Sequence, residues 1–328
     1  MSTSQVLDRT FHLYRNNFVL FAGIALIAPA LSLIAALLQL WLIGPAPPPP
    51  EAITDPEMAS RVFSEYLLRA GLQMLVSLIV YAIGAALATG ATTYAVSMVH
   101  LEKPTTIAES YRKIRPMFWR ILRLILAVLL LTLGPLLIIE GLAVTWAMLQ
   151  IRSIAEGGPP PVSTVLAVLV LLLLGLLAAI VWAIYALCRY ALAVPACVLE
   201  QLPVGQSLKR GRFLIKKSLL RVFGVYLLTF LMVLVLTTVL QLPAWIGGSI
   251  VSAKSMAHLG GFALIWLLLA EFLGKTLAGP IVTIAIALLY YDQRVRKEAF
   301  DLQVMMEAVG QQLPQQPPIA VSAPPTLG

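Results

Sequence analysis

The sequence is poor in charged residues, histidine and cysteine. Only 12% of its 328 residues are charged, about half the share of roughly 25% that is usual in globular proteins. It contains three histidines and two cysteines, and no HExxH, GxSxG or P-loop motif. These shortages exclude the common hydrolase and nucleotide-binding signatures, and we expect neither a metal site nor a cofactor.

The two cysteines lie close together without other metal-binding residues around them. Cys188 and Cys197 are nine positions apart in one apolar run, which places them on poorly aligned faces of a helix. We therefore interpret both as small core residues and not as a disulfide or a metal site.

Apolar residues are correspondingly abundant. They make up 60% of the chain, against roughly 45–50% in soluble proteins, and the mean hydropathy is +0.91. About 20 apolar residues suffice to cross a bilayer. The sequence predicts an all-α polytopic membrane protein with six transmembrane helices, near 18–43, 72–99, 117–149, 163–200, 219–242 and 262–290.

Proline is expected to bend or end most of these spans, because it lacks a backbone N–H and clashes with the preceding turn. We expect kinks at Pro29 and Gly279-Pro280, an interruption at Gly134-Pro135, a break near Pro195, and an end at Pro243 that is followed by a loop over 247–261.

Three basic amphipathic segments, which we call elbows, precede the first, third and fifth spans. They occupy 6–21, 101–122 and 199–223. In the third elbow Leu208, Phe213 and Leu214 mark an apolar face, and Lys and Arg occupy much of the rest. This pattern is typical of a helix at the membrane interface, with its apolar side in the acyl boundary and its basic side among headgroups. The candidates for contacts with anionic phospholipid headgroups are Arg112, Lys113, Arg115, Lys209, Arg210, Arg212, Lys216 and Lys217. The simpler alternative, which we favour, is that these charges only fix the topology.

The positions of the cations predict the orientation. Of the 23 Lys and Arg residues, 17 fall beside the elbows or the two ends of the chain, 4 fall in the opposite loops and 2 lie within spans. The positive-inside rule therefore places both termini and all elbows in the cytoplasm of a bacterial inner membrane. Because the cations flank apolar runs, the net charge of +8 indicates lipid partners and not nucleic acid.

The elbows also suggest an internal repeat of one elbow and two spans. They begin near Val6, Ile107 and Val204, and an acidic residue follows each even-numbered span at Glu102, Glu200 and Asp292. Tryptophans mark the outer ends of the odd-numbered spans at Trp41, Trp146 and Trp245, as membrane interfaces favour. We predict one membrane domain, 1–304, with units of about 5–102, 105–200 and 203–297, and a disordered Pro/Gln-rich cytoplasmic tail, 305–328.

Three segments resemble the membrane domain of the glycerophosphoryl diester phosphodiesterase family. They are LDRTFHLYRNNFVLF at 7–21, the stretch from ALAVPACVLEQLP to KKSLLRVF at 191–223, and LLYYDQRVRKEAFDLQ at 288–303. The resemblance implies a polytopic bacterial domain that occurs alone or fused ahead of a catalytic domain. We expect no such catalytic domain in this chain, so the resemblance transfers no activity.

Charges inside the spans are candidates for function, because the bilayer disfavours them. They are Glu140, Arg189, Glu271 and Lys275. Glu271 and Lys275 are spaced i,i+4, so they can pair on one helix face. The pair can line an ion-coupled cavity, or it can be a self-neutralised packing pair, which is the alternative we favour.

The sequence therefore leaves three hypotheses on function. The first is a non-enzymatic, lipid-associated auxiliary or scaffold subunit, with membrane-protein partners or a homo-oligomer as further alternatives. The second is a transporter or permease with a polar site formed by the four intramembrane charges. The third is a membrane-embedded enzyme acting on lipid phosphodiesters, and it rests on the family resemblance alone.

Overall fold

The computed structural model describes residues 3–43, 56–158, 161–216, 218–250 and 256–312. Within these ranges the regular structure is helical. The helices are α1 (Thr3–Asn16), α2 (Phe18–Ala25), α3 (Ile27–Ile43), α4 (Pro56–His100), α5 (Ile107–Ile114), α6 (Phe118–Gly157), α7 (Val162–Tyr190), α8 (Ala193–Leu199), α9 (Val204–Ile215), α10 (Leu219–Ile250) and α11 (Met256–Gln312).

Six segments are long and apolar enough to cross a membrane. They are Phe18–Gln39, Ser64–His100, Ile107–Trp146, Val162–Leu199, Leu219–Pro243 and Ile265–Glu298. The prediction of an all-α polytopic membrane protein with six transmembrane helices is confirmed.

Helix α11 is the centre of the bundle and α7 lies at its edge. In the most apolar stretch of each span, 61% of the residues are buried in the last span, against 6% in the span that contains α7. Helix α11 packs against α1, α2, α3, α4 and α10. Its residues 284–290 are buried without interruption. Helix α7 therefore presents most of its apolar surface to the outside of the bundle, where lipid is the expected neighbour.

The elbows contain the short helices α1, α5 and α9. Helices α1 and α9 end before the first and fifth spans, whereas α5 begins the third apolar segment, Ile107–Trp146. We call the end of the bundle that carries them the elbow end. The expectation that the apolar side of α9 lies in the acyl boundary is wrong for Leu214. Leu214 is completely buried, together with Ile215, Ser207 and Gly211. Because α9 packs on α8, that face is covered by protein instead of lipid.

Two of the expected helix breaks are confirmed. The first span is divided at Leu26, between α2 and α3, and the fourth at Ala191 and Leu192, between α7 and α8. Pro29 and Pro195 each follow the division within one turn. Each proline removes the N–H donor for the carbonyl four residues earlier.

Three expectations on proline are wrong. Helix α6 passes through Pro135 without interruption, and α10 passes through Pro243 and ends at Ile250. The expected loop over 247–261 is helical at 247–250 and 256–261, while 251–255 lie outside the described residues. An indole N–H from a neighbouring helix replaces the donor that Pro135 removes from the Leu131 carbonyl, and a second indole bonds a carbonyl three residues before Pro243, next to the one that this proline leaves without a donor. Trp182 donates to the Leu131 carbonyl at 2.9 Å, and Trp266 donates to the Leu240 carbonyl at 3.0 Å.

The exits of the second and fourth spans share one backbone conformation. Glu102 and Gln201 have left-handed φ values of 56° and 54°, and each lies two residues before a proline. In backbone conformation Glu102 therefore corresponds to Gln201. The predicted repeat had instead aligned Glu102 with Glu200. Asp292, the third acidic landmark, lies inside α11. The three-unit repeat stays a prediction, because the last span has no comparable exit. Helix α11 extends to Gln312, into the segment predicted as a disordered tail, and 313–328 lie outside the described residues.

Candidate functional site

A groove at the elbow end gathers four cations from two helices. It has a volume of about 550 Å³ and lies between the end of α7 and helix α9. Its lining contains no acidic residue. The lining residues are Tyr185, Arg189, Lys209, Arg212, Phe213, Ile215, Lys216 and Leu219. We call this set the basic groove.

Arg189 reaches the basic groove from the last turn of α7. Its guanidinium donates a hydrogen bond to the Tyr185 hydroxyl and lies 5.4 Å from the centroid of that ring. Both contacts come from a residue one turn earlier on the same helix, so they hold the side chain along α7. A cation over an aromatic face is stabilised by the ring quadrupole. Tyr185 therefore fixes the position of the Arg189 guanidinium in the basic groove.

Helix α9 supplies the other three cations from one face. Lys209, Arg212 and Lys216 are spaced i, i+3 and i+7, so they share a side of the helix. On the other side Gly211 lies directly against α8, where an added Cβ would be 2.9 Å from the backbone nitrogen of Ala193. Close packing through this glycine turns the cationic face of α9 toward Arg189.

The four cations have no acidic partner in the part of the chain that the structure describes. None of the ion pairs in the described part of the chain involves Arg189, Lys209, Arg212 or Lys216. Like charges around one concavity repel one another and raise the local concentration of anions. Lys217, the remaining candidate of the third elbow, lies outside the described residues.

Arg210 has a different position from its neighbours on α9. It donates to Glu200 at 3.1 Å and also pairs with Glu298 of α11. Burial is the largest single influence and lowers the pKa of Arg210, but the hydrogen bonds and charges of the two glutamates together raise it above its ordinary value. Tyr290 donates to the same Glu200 carboxylate. Arg210 thus joins the exit of α8 to α11 and does not face the basic groove.

The second elbow forms a cationic site with fewer charges. Arg112 and Arg115 line a cavity of about 550 Å³ together with Leu87, Tyr111, Phe118 and Trp119. Lys113 is exposed and is not part of this lining. Tyr111 anchors α5 by donating to the Ile24 carbonyl at 2.5 Å. This site has two cations, against four in the basic groove.

The four charges predicted within the spans do not meet in one place. Arg189 belongs to the basic groove. Glu140 is exposed on α6 and takes part in none of the ion pairs among the described residues. Glu271 and Lys275 form the expected i,i+4 ion pair on α11, and both line a separate cavity.

Two aromatic members of the basic groove were missed by the sequence reasoning. Tyr185 stands four residues before Arg189, a spacing that places them on one helix face, and this signal could have been used. Phe213 was assigned to the apolar side of α9, yet it is 51% exposed. The ammonium of Lys297 lies 4.9 Å from the Phe213 ring centroid.

Comparison with protein-family models, with curated proteins and with solved structures finds no match to this chain. Among the described residues no group of three or more His, Cys, Asp or Glu side chains is placed to hold a metal ion.

Proposed function

We propose that this chain is a non-enzymatic integral membrane protein that binds anionic phospholipid headgroups through the basic groove. It acts as a lipid-associated auxiliary or scaffold subunit of a bacterial inner membrane. The observation that carries the proposal is the convergence of Arg189, Lys209, Arg212 and Lys216 on one concavity, with no acidic partner among the described residues.

The chemistry of the lining suits a phospholipid phosphate. Guanidinium groups bind phosphate oxygens in a bidentate manner, and ammonium groups add point charges. Each Lys or Arg near an anionic membrane surface contributes about 1 kcal/mol. Tyr185 and Phe213 supply apolar surface with a preference for the interfacial region. A phospholipid suits both parts of this lining, because its phosphate can bind the cations and its glycerol and acyl chain can contact the aromatic side chains.

The orientation of the groove follows from the distribution of charge. Of the 23 Lys and Arg residues, 17 belong to the ends of spans that carry the elbows and the termini. The positive-inside rule therefore assigns the elbow end to the cytoplasm. The basic groove then opens among the headgroups of the cytoplasmic leaflet, where the anionic lipids are concentrated.

A pure topology signal explains less of the arrangement. Such a signal requires Lys and Arg in the loops beside a span, and it sets no condition on whether they meet in space. In this chain Arg189 lies in a span and is held by Tyr185 beside cations of the next elbow. That convergence favours a bound anion.

The basic groove gives little support to the hypothesis of an enzyme that acts on lipid phosphodiesters. A phosphodiesterase requires an activated nucleophile and a general acid or base beside the phosphate. The lining offers cations and two aromatic side chains but neither a histidine nor a carboxylate.

The test compares two doubly neutralised variants in nanodiscs. The test variant, Lys209→Gln/Arg212→Gln, removes two charges of the basic groove. The control variant, Lys103→Gln/Arg123→Gln, removes two charges on the same predicted side of the membrane that line neither the basic groove nor the cavity of the second elbow. Affinity for phosphatidylglycerol over phosphatidylcholine is measured by native mass spectrometry. Two lost contacts of about 1 kcal/mol each correspond to a roughly 30-fold weaker preference for phosphatidylglycerol in the first variant. Equal losses in both variants, or none in either, contradict the proposal and leave the cations as topology signals.

A further inference from the structure

A second cavity lies within the membrane-spanning part of the bundle, between α3, α4 and α11. It has a volume of about 350 Å³, at the lower end of the range of about 300–1,000 Å³ that is usual for small-molecule sites. Its polar lining residues come from all three helices. They are Ser32, Ser77, Tyr81, Glu271 and Lys275.

An adjoining cavity extends this space toward the elbow end. It has a volume of about 300 Å³ and shares Pro29, Ser32, Tyr81 and Lys275 with the first. Its further polar residues are Thr89, Thr92 and Thr283. Hydroxyl groups and one ion pair thus follow one another along the space between α3, α4 and α11. We call the two cavities together the central crevice.

The ion pair between Glu271 and Lys275 belongs to the last membrane-spanning segment, Ile265–Glu298. The side chains of Glu271 and Lys275 are 50% and 47% exposed. A packing pair would be buried between helices. The half-exposed pair instead forms a wall of the central crevice.

The central crevice is closed toward the elbow end. Beyond Thr92 and Thr283 the facing helices carry Ala95, Val96 and Leu288, and each of these side chains is completely buried. At its inner part, Pro29 removes the helical donor for the carbonyl of Ala25, and both residues line the space. Backbone acceptors at broken helices commonly form solute sites in membrane proteins.

We propose that the central crevice binds a small zwitterionic solute. Without a ligand, Glu271 and Lys275 neutralise each other. A solute with one cationic and one anionic group can exchange this pair for two intermolecular pairs and leave every charge compensated. A simple anion or cation would leave one of the two residues without a partner in a medium of low dielectric constant, which is strongly unfavourable.

The position of the pair favours a free solute over a zwitterionic lipid headgroup, because headgroups remain at the interface, whereas Glu271 and Lys275 belong to a membrane-spanning segment. The hydroxyls of Ser32, Ser77 and Tyr81 line the same cavity as the pair and offer hydrogen bonds to the solute's charged ends. This inference does not depend on the basic groove, which lies at the elbow end.

The experiment measures solute binding by saturation-transfer NMR in micelles of the non-ionic detergent dodecyl maltoside, so that neither an anionic nor a zwitterionic headgroup competes. The probes are γ-aminobutyrate and β-alanine as zwitterions, propionate as an anion and propylammonium as a cation. The full chain is expected to bind both zwitterions and to prefer them at least tenfold to either ion. Adding phosphatidylethanolamine leaves this binding unchanged for a solute site, and it competes for a headgroup site.

Charge variants make the prediction specific. Glu271→Gln leaves an unpaired cation and shifts the preference to propionate, while Lys275→Gln shifts it to propylammonium. The control is Glu65→Gln, which removes an ion pair of the same i,i+4 spacing with Arg69 on α4, outside the crevice, and leaves the preference for zwitterions unchanged.

Three results overturn the proposal. They are no saturable binding of either zwitterion to the full chain, unchanged selectivity in both charge variants, and competition by phosphatidylethanolamine. Should a charge variant fail to insert, Ser77→Leu keeps both charges and fills the first cavity. Ser77→Leu is expected to abolish zwitterion binding. Binding as strong as that of the unmodified protein would contradict the proposed site.

Discussion

The indole N–H of Trp182 donates a hydrogen bond to the backbone carbonyl of Leu131. Leu131 is four residues before Pro135, so it is the carbonyl that the proline deprives of its helical donor. Both residues are at the surface of the bundle, 46% and 37% exposed, where lipid offers no hydrogen bonds. A side chain of α7 thus completes the backbone hydrogen bonding of α6 and holds the two helices together.

Replacing Trp182 should therefore destabilise the protein only while Pro135 is present. Trp182→Phe leaves the Leu131 carbonyl without a donor, and we expect a loss of about 1–2 kcal/mol in the free energy of unfolding. In a Pro135→Ala background the new N–H replaces the indole, and the same substitution should be nearly neutral. Unfolding in SDS measures the four variants of this cycle. Trp119→Phe is the control, since its indole makes no hydrogen bond among the described residues. Additive effects of the two substitutions would contradict the relationship.

This pair of residues shows why the sequence predicted the six spans but only some of their breaks. Span number and helical class follow from apolar run length, which composition reveals directly. Whether a proline interrupts a helix depends on a donor that another helix brings to the freed carbonyl. Trp182 supplies it at Pro135, whereas the first span is divided just before Pro29. Nothing within either span distinguishes the two cases.

Gly211 should tolerate no side chain. An alanine Cβ there would be 2.9 Å from the backbone nitrogen of Ala193 and 3.2 Å from its Cα, and backbone atoms cannot yield as a flexible side chain does. We expect Gly211→Ala to cost about 1–3 kcal/mol of stability and to weaken binding of phosphatidylglycerol, because α9 is displaced. Gly205 on the same helix has open space around it, so Gly205→Ala should be neutral or stabilising by up to about 1 kcal/mol. Thermal unfolding of both variants decides the matter, and equal melting temperatures would contradict the packing argument.

The contribution of Tyr14 to stability should depend on pH. Its hydroxyl donates to the Leu277 carbonyl at 2.8 Å, and burial raises the pKa of its phenol. An unfolded tyrosine titrates near its ordinary value of about 10. As the pH rises, the unfolded state therefore loses this proton first, and the stabilisation is complete below about pH 10 and declines above it. The difference in melting temperature between the wild type and Tyr14→Phe should be constant between about pH 7 and 9 and should shrink above about pH 10. A difference that grows with pH would contradict the buried hydrogen bond.

The candidate site was only partly predictable for a similar reason. The basic character of the third elbow is evident from Lys209, Arg212 and Lys216, which stand within eight residues of one another. Arg189 was grouped with the intramembrane charges, because the break predicted near Pro195 does not show which helix Arg189 faces. Likewise, the i,i+4 spacing predicted the pair of Glu271 and Lys275, but the central crevice beside it is formed by three helices from distant parts of the chain.

Lys209 and Arg210 are neighbours in sequence that should have opposite roles. Arg210 satisfies Glu200, whose side chain is only 16% exposed, and Glu298 of α11. Removing it takes away the bidentate partner of the partly buried Glu200, which keeps only Tyr290 and a contact with Arg294 at 4.0 Å, so we expect Arg210→Gln to cost about 2 kcal/mol of stability. Lys209 has no acidic partner among the described residues and lines the basic groove. Lys209→Gln should leave the melting temperature unchanged and weaken phosphatidylglycerol binding about 5-fold, the equivalent of about 1 kcal/mol. Both quantities are measured on both variants in the same nanodiscs. If Lys209→Gln destabilises the fold as much as Arg210→Gln, or leaves lipid binding unchanged, the prediction of separate roles for the two residues is contradicted.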